Sequence, residues 1–140
     1  MSDWDSRFMT LASHISAWSK DPSTKVGAVV VDHMRRVIAT GYNGFARGVR
    51  DTEERYLDKP TKYRLVVHAE LNAILNAVIQ PRGASLYVTM APCSDCAKAI
   101  VQSGLYEVMC PQWRSDGHWA EDGLSAKLIL EEAGVRLIHA

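Results

Sequence analysis

The sequence has no run of apolar residues long enough to cross a bilayer, and its first residues lack the basic and apolar regions of a signal peptide. Its three cysteines are too few, and odd in number, for a disulfide framework. Sixteen basic and sixteen acidic residues cancel, which argues against a general nucleic-acid or acidic-membrane binder. These absences predict a cytoplasmic protein, and zero net charge fits self-association.

The length and composition of the sequence fit one globular domain. The chain has 140 residues, of which 47% are hydrophobic and 23% are charged, a balance that supplies enough apolar material for a core. One domain commonly contains about 150 residues. We therefore expect residues 1–140 to form a single domain.

The apolar periodicity predicts an α/β fold. It places helices at 3–18, 68–79, 93–102 and about 120–132, and strands at 26–31, 37–40, 84–90, 106–110 and 135–138. The charged segment 47–64 predicts a surface loop with room for a helical turn. Because the first two strands are joined as a hairpin and the last three alternate with helices, we expect a three-layer α/β/α sandwich. Its five-stranded sheet should be mixed, with right-handed crossovers.

Two motifs suggest a metal site. The first is H-A-E at 68–70 and the second is P-C-S-D-C at 92–96, each at the predicted beginning of a helix. Open α/β sheets bind ligands beside such positions, at the carboxyl ends of their strands. One imidazole and two thiolates form a three-ligand set for Zn²⁺ that leaves a fourth position for water. We therefore predict one catalytic zinc ion per chain, bound by His68, Cys93 and Cys96.

Glu70 is the predicted catalytic acid and base. It lies two residues after His68, so on a helix it does not share the direction of that ligand, although it stays near the open side of the metal. Two thiolate ligands reduce the acidity that zinc confers on water, which makes a neighbouring proton acceptor necessary. H-x-E with P-C-x-x-C is the signature of zinc-dependent nucleobase deaminases.

Other interpretations of these residues stay open from the sequence. Cys93 and Cys96 have the spacing of a redox pair, which would leave His68 and Glu70 unexplained. A closed structural zinc site would need Cys110 or His118 as its fourth ligand, whereas Cys110 is otherwise interpreted as a small buried hydrophobe. The remaining histidines lack partners at ligand spacing and are interpreted as surface or hydrogen-bonded residues: His14, His33 and His139.

Four segments resemble, in the same order, the blocks of the cytidine and deoxycytidylate deaminase superfamily. They are K-D-P-S-T-K-V-G-A at 20–28, G-Y-N-G at 41–44, H-A-E-L-N-A-I at 68–74 and P-C-S-D-C-A-K at 92–98. The likeness spans nearly the whole chain and is greatest to deoxycytidylate (dCMP) deaminases, because the first two blocks are more specific to nucleotide-level enzymes. It implies a cytidine deaminase-like fold and hydrolysis of dCMP to dUMP and ammonia, in thymidylate supply. Some viral relatives also accept dCTP.

The resemblance also implies a substrate site. Asn43 would bind the sugar and the Ala69 N–H the pyrimidine carbonyl, with Pro92 nearby, while Ser23, Thr24 and Lys25 would hold the 5′-phosphate. Gly41 and Gly44 would let the backbone bend sharply around Asn43. An alternative for Lys25 is a solvated lysine at the end of a strand.

The segment 113–119, W-R-S-D-G-H-W, follows a predicted strand and should project over the same crevice. Arg114 with Ser115 or His118 would contact phosphate, and Trp119 would form a wall beside the base. A loop with two tryptophans is equally typical of a subunit contact.

The family also suggests properties that this sequence supports only in part. Its members are commonly hexamers regulated by dCTP and dTTP, so a homo-oligomer is expected. Gly44, Arg47 and Gly48 resemble part of the regulatory neighbourhood, but the loop is short. No cysteine or histidine lies between Gly44 and His68, so a second, structural zinc has no ligands there.

Two other function classes share the zinc motif. A nucleic-acid base deaminase, acting on tRNA or single-stranded DNA, should have a basic groove, which the neutral charge does not favour. A noncatalytic zinc scaffold has no use for Glu70.

Overall fold

The computed structural model describes residues 2–140 and contains helices on both faces of a five-stranded sheet. In chain order the elements are α1 (Asp3–Ser16), β1 (Gly27–Val31), β2 (Val37–Tyr42), β3 (Gly44–Phe45), α2 (Glu53–Leu57), α3 (Lys59–Leu65), β4 (Val66–Val67), α4 (Ala69–Asn76), β5 (Ser85–Val88), α5 (Ser94–Ser103), β6 (Glu107–Cys110), α6 (Ala120–Glu132) and β7 (Arg136–His139). Across residues 2–140, no helix combines the length and the apolar character that a membrane crossing requires.

The strand order of the large sheet is β2-β1-β5-β6-β7. Strand β1 pairs antiparallel with both β2 and β5, whereas β5, β6 and β7 are parallel to one another. Parallel neighbours need a crossover, and α5 and α6 supply the two connections. The predicted mixed five-stranded sheet is confirmed.

Residues that alternate along the strands face opposite helix layers. On one face Val29, Val31, Tyr87 and Met109 pack against α1. On the other face the strands pack against α4, α5 and α6, through a cluster that includes Ala28, Val30, Leu86, Val88, Val108 and Cys110. The predicted three-layer sandwich is therefore confirmed, and Cys110 is fully buried in this second layer, as expected.

Gly41 allows β2 to run against α4. A Cβ atom on Gly41 would lie 2.4 Å from the Ala73 nitrogen and 2.5 Å from the Ala69 oxygen, so no larger residue fits. Neither Gly41 nor Gly44 has a positive φ, so the change from β2 to β3 at Asn43 does not use the left-handed backbone that glycine allows. Glycine at position 41 lets β2 pack closely against the first turns of α4, which follow His68.

The structure differs from the predicted elements in three places. Helix α1 ends at Ser16, two residues earlier than expected, and Trp18 is 54% exposed. Segment 47–64 contains two short helices, α2 and α3, and Tyr56 of α2 stacks on Phe45 with ring centroids 4.0 Å apart. Helix α4 ends at Asn76, three residues earlier than predicted, and the apolar Val78 and Ile79 that follow are exposed.

Candidate active site

Two of the three predicted metal ligands occupy the N-cap positions of neighbouring helices. His68 precedes α4 and Cys93 precedes α5, and both have extended backbone angles. Neither side chain forms a capping hydrogen bond to its own helix. Cys96 is the third residue of α5, which places it on the same side of the helix as the N-cap residue. These side chains are therefore free to face one another between the two helix N-termini.

The three side chains converge on one point. His68 Nδ1 lies 3.4 Å from the Sγ atoms of Cys93 and Cys96, and all three ligand atoms lie within 4.8 Å of one another. Zn–S bonds of about 2.3 Å and Zn–N bonds of about 2.0 Å, in tetrahedral geometry, predict N···S distances of about 3.5 Å. The observed spacing fits a zinc ion held by three protein ligands.

The alternative sites find no support in the structure. Across residues 2–140, the metal-binding group contains no fourth histidine, cysteine or carboxylate. Cys110 is buried in the core and His118 is exposed, so neither closes the site. The redox-pair alternative leaves His68 without a role. All three cysteines are free thiols, and His68 Nδ1 lies 3.4 Å from the Sγ atoms of both Cys93 and Cys96, a distance that suits a shared metal ion.

The electrostatics of the cluster match the donor chemistry of zinc. A hydrogen bond from Cys96 lowers the pKa of the Cys93 thiol to about 4, and the same hydrogen bond together with burial raises the pKa of Cys96. Cys93 also raises the pKa of His68, against the opposing effect of burial. A divalent cation would allow both cysteines to bind as thiolates, so the residues present fit Zn²⁺.

Glu70 lies in the first turn of α4 and is only 4% exposed. Burial raises the pKa of its carboxyl to about 7, although its own backbone N–H and the His68 ring oppose this shift. A carboxyl with a pKa near 7 can both accept and release a proton at neutral pH. Ala69, the first residue of α4, has an N–H with no partner inside the helix, as the geometry of helix N-termini requires.

The turn that contains the predicted phosphate ligands is organised by Asp21. Its Oδ1 accepts hydrogen bonds from the Ser23 N–H at 2.9 Å, the Ser23 hydroxyl at 3.1 Å and the Thr24 N–H at 3.2 Å. The Lys25 ammonium donates to the Ser19 carbonyl. These donors therefore lie in one turn, and their hydrogen bonds are made to Asp21 and Ser19. Their contact with phosphate stays a prediction.

Asn43 connects this turn to the sheet. Its Oδ1 accepts the Val26 N–H at 2.8 Å, and its Nδ2 donates to the Thr24 carbonyl, also at 2.8 Å. Asn43 is 5% exposed. An asparagine amide offers two hydrogens and two acceptor positions, and one of each is used in these bonds. Contact of Asn43 with a sugar stays a prediction.

Helix α3 joins two of the predicted substrate segments, and sequence reasoning missed this connection. The Lys62 ammonium lies 2.7 Å from Asp21 Oδ2 and 3.1 Å from the Ser23 hydroxyl. The next residue, Tyr63, packs edge to face on Trp119 with ring centroids 5.8 Å apart. Lys62 and Tyr63 belong to a charged segment without apolar periodicity, so no local signal identified them.

The residues of segment 113–119 have different surroundings in the structure. Arg114 and Ser115 are exposed, and Arg114 forms an exposed ion pair with Asp116 at 3.7 Å. His118 lies against Trp119 with ring centroids 5.1 Å apart, and Trp119 is 51% exposed. Trp119 therefore contacts α3, whereas within residues 2–140 no hydrogen bond or ion pair joins Arg114 or Ser115 to another predicted site residue.

Comparison with known proteins finds deaminases whose sequences match most of this chain. The family model described as the cytidine and deoxycytidylate deaminase zinc-binding region matches residues 2–112. The chain is 41% identical to the deoxycytidylate deaminase of Mus musculus, over 95% of this chain and 77% of that protein. It is 39% identical to an uncharacterised deaminase of Aliivibrio fischeri, over 98% of this chain and 93% of that protein.

Among solved structures, the fold matches the dCMP deaminase of the cyanophage S-TIM5, which was crystallised in complex with dCMP and dUMP. The TM-score is 0.82 at 28% sequence identity, and the match covers 100% of this chain and 99% of that chain.

Proposed function

This chain belongs to the cytidine and deoxycytidylate deaminase family, and we propose that it catalyses the hydrolytic deamination of dCMP to dUMP and ammonia. The observation that carries the proposal is the cluster of His68, Cys93 and Cys96, with the buried Glu70 in the adjoining turn. The likeness along the full chain to a dCMP deaminase that binds dCMP and dUMP supports this choice of substrate.

The zinc site fits this chemistry. A zinc ion held by these three ligands would supply a Lewis acid that lowers the pKa of water, with Glu70 as the neighbouring proton acceptor. Two helix N-termini face the thiolates and temper their negative charge. The protein contributes the orientation of the ligands and the exclusion of bulk water around Glu70.

Glu70 moves the protons of the reaction. It takes a proton from the water that attacks C4 of the cytosine ring and delivers that proton to N3. It then transfers a second proton from the new C4 oxygen to the departing amine, so that the C4–N bond breaks and ammonia leaves. The products are the uracil carbonyl at C4 and free ammonia, which balances the addition of one water molecule.

The substrate is held by residues from separate segments. We assign the pyrimidine carbonyl to the Ala69 N–H beside Pro92, and the sugar to Asn43. Trp119 forms a wall beside the base. The phosphate contacts are assigned to a set of polar residues in two segments: Ser23, Thr24, Lys25, Arg114, Ser115 and His118.

Further properties are proposed on the strength of the family. We propose that residues 1–140 form one deaminase domain, located in the cytoplasm, where reduced thiols such as Cys93 and Cys96 persist. A homo-oligomer, with a hexamer favoured, fits the exposed apolar residues Leu75, Val78 and Ile79 at the end of α4. Light scattering of the purified protein tests this assembly. Turnover of dCTP is tested in the assay below, and the same dCMP assay with dCTP or dTTP added tests whether these nucleotides act as effectors.

One absorbance assay distinguishes the candidate activities. The zinc-loaded protein is incubated with dCMP, dCTP, deoxycytidine or a cytosine-containing oligonucleotide, and conversion of cytosine to uracil is recorded. We expect dCMP to react with the highest kcat/KM, and a chelator to abolish turnover until zinc is restored. Turnover of the oligonucleotide alone would identify a nucleic-acid deaminase. Zinc binding without turnover of any substrate would identify a scaffold.

A further inference from the structure

Helix α5 lacks the capping side chain that most helices use. The first N–H groups of a helix have no partner inside it, and the N-cap side chain commonly accepts one of them. Cys93 occupies this position, but its thiol faces His68 and Cys96 and forms no capping bond. The N-terminus that carries two of the three metal ligands must therefore be fixed by another group.

Asp122 supplies this group from a different helix. Its Oδ2 accepts the Ser94 N–H at 2.9 Å, and its Oδ1 accepts the Ser94 hydroxyl at 2.6 Å. Ser94 is the first residue of α5 and follows Cys93 directly. Asp122 lies in the first turn of α6, so its carboxylate ties the N-termini of α5 and α6 together.

Trp113 holds the residue on the other side of Cys93. Its indole Nε1–H donates to the Pro92 carbonyl at 2.8 Å, and Pro92 is fully buried. Gly123, next to Asp122, leaves room for this indole, since a Cβ at that position would lie 2.9 Å from Trp113 Cδ1. The residues before and after Cys93 are thus both bonded to the segment 113–122.

We infer that Asp122 and Trp113 are positioning residues for the zinc ligand Cys93. By holding Pro92 and Ser94, they fix the direction in which the Cys93 thiolate points relative to His68 and Cys96. The inference rests on the proposed function, since it concerns the zinc site of that reaction. Partners that orient metal ligands commonly contribute about 10- to 100-fold to metal affinity.

The test is the zinc dissociation constant, measured by competition with a chromophoric chelator. We expect Asp122→Ala to bind zinc about 10- to 100-fold more weakly than the natural protein. Asp122→Asn should recover most of this loss, because an amide oxygen still accepts the Ser94 N–H and its amide hydrogens can meet the hydroxyl. Glu121→Ala is the matched control, since Glu121 is an exposed carboxylate of the same helical turn, and its zinc affinity should not change.

A second variant keeps the inference open to refutation if Asp122→Ala does not fold. Trp113→Phe removes the indole donor but keeps an aromatic ring, and we expect it to weaken zinc binding by a similar factor. Circular dichroism of the zinc-free proteins verifies their folding. Unchanged zinc affinity in folded Asp122→Ala, or in Trp113→Phe where the first variant is unfolded, overturns the inference. Failure of the proposed function has a different result, because the natural protein itself would then fail to bind zinc or to deaminate dCMP.

Discussion

The Lys62 ammonium and the Asp21 carboxylate form an ion pair 2.7 Å long, and their side chains are 11% and 0% exposed. Asp21 also accepts hydrogen bonds from the turn at 23–24, so the pair links this turn to α3. Burial makes such a pair sensitive to the loss of one partner, because the remaining charge has no solvent to stabilise it.

Lys62→Met should destabilise the protein by about 3–5 kcal/mol, since it leaves the Asp21 carboxylate buried without its cation. The double variant Asp21→Asn with Lys62→Met should lose less, because it removes both charges. Lys59→Met, at an exposed lysine of the same helix, is the control and should have little effect. Urea unfolding at neutral pH measures all three, and equal stability of Lys62→Met and Lys59→Met would contradict the prediction.

The ion pair also predicts a pH dependence. Burial alone raises the pKa of Asp21, but the Lys62 ammonium and two backbone N–H groups outweigh it and hold this pKa below its ordinary value. The stability from Asp21 is therefore complete above about pH 4, its unfolded pKa, and disappears as the pH falls through the lower folded value. The free energy of unfolding of the natural protein should approach that of Asp21→Asn only below about pH 4. A difference between the two that stays constant down to strongly acidic pH would exclude this role.

Glu70→Gln should abolish most turnover while keeping the metal site. Glutamine has nearly the same shape but accepts no proton, and general acid–base catalysis typically contributes about 10²- to 10⁴-fold to the rate. We expect kcat for dCMP to fall by this factor, with one zinc per chain retained in metal analysis. A kcat close to that of the natural protein would remove Glu70 from its assigned role.

Gly41→Ala should be strongly destabilising, because its methyl group would lie 2.4 Å from the Ala73 nitrogen. Overpacking of this kind costs about 1–3 kcal/mol, and here the neighbouring atoms belong to the backbone of α4. Gly44→Ala is the matched control, since a Cβ there would meet only the Tyr56 hydroxyl, at 3.8 Å. The two melting temperatures measure the difference, and similar values would show that α4 can shift away from β2.

The fold was largely predictable because most of its elements have a clear apolar period. Residues 84–138 alternate between short apolar strand segments and helical segments, and this alternation predicted the parallel part of the sheet. For segment 47–64 only a loop with room for one helical turn was predicted, since α2 and α3 contain only five and seven residues and lack such a period. Helices α2 and α3 are held in place by contacts with residues outside them, such as the stacking of Tyr56 on Phe45.

The metal cluster was predictable for a different reason. Its ligands are encoded within two short motifs, and helix N-caps place His68 and Cys93 at equivalent positions. The resemblance to dCMP deaminases, drawn from four segments, is confirmed by the relatives. The charged residues that support the site were not predictable, because most aspartates and lysines are solvated. Asp122 gains its role only through a partner 28 residues away.

Lys62 and Tyr63 are consecutive residues of α3, yet one contacts the turn at 21–25 and the other contacts Trp119. A tilt of this seven-residue helix therefore moves its contacts with the turn and with Trp119 together. If Trp119 contacts the base and the turn contacts the phosphate, as proposed, a redesign for a bulkier nucleobase will also alter the discrimination between nucleotide and nucleoside, and the two preferences will have to be selected jointly.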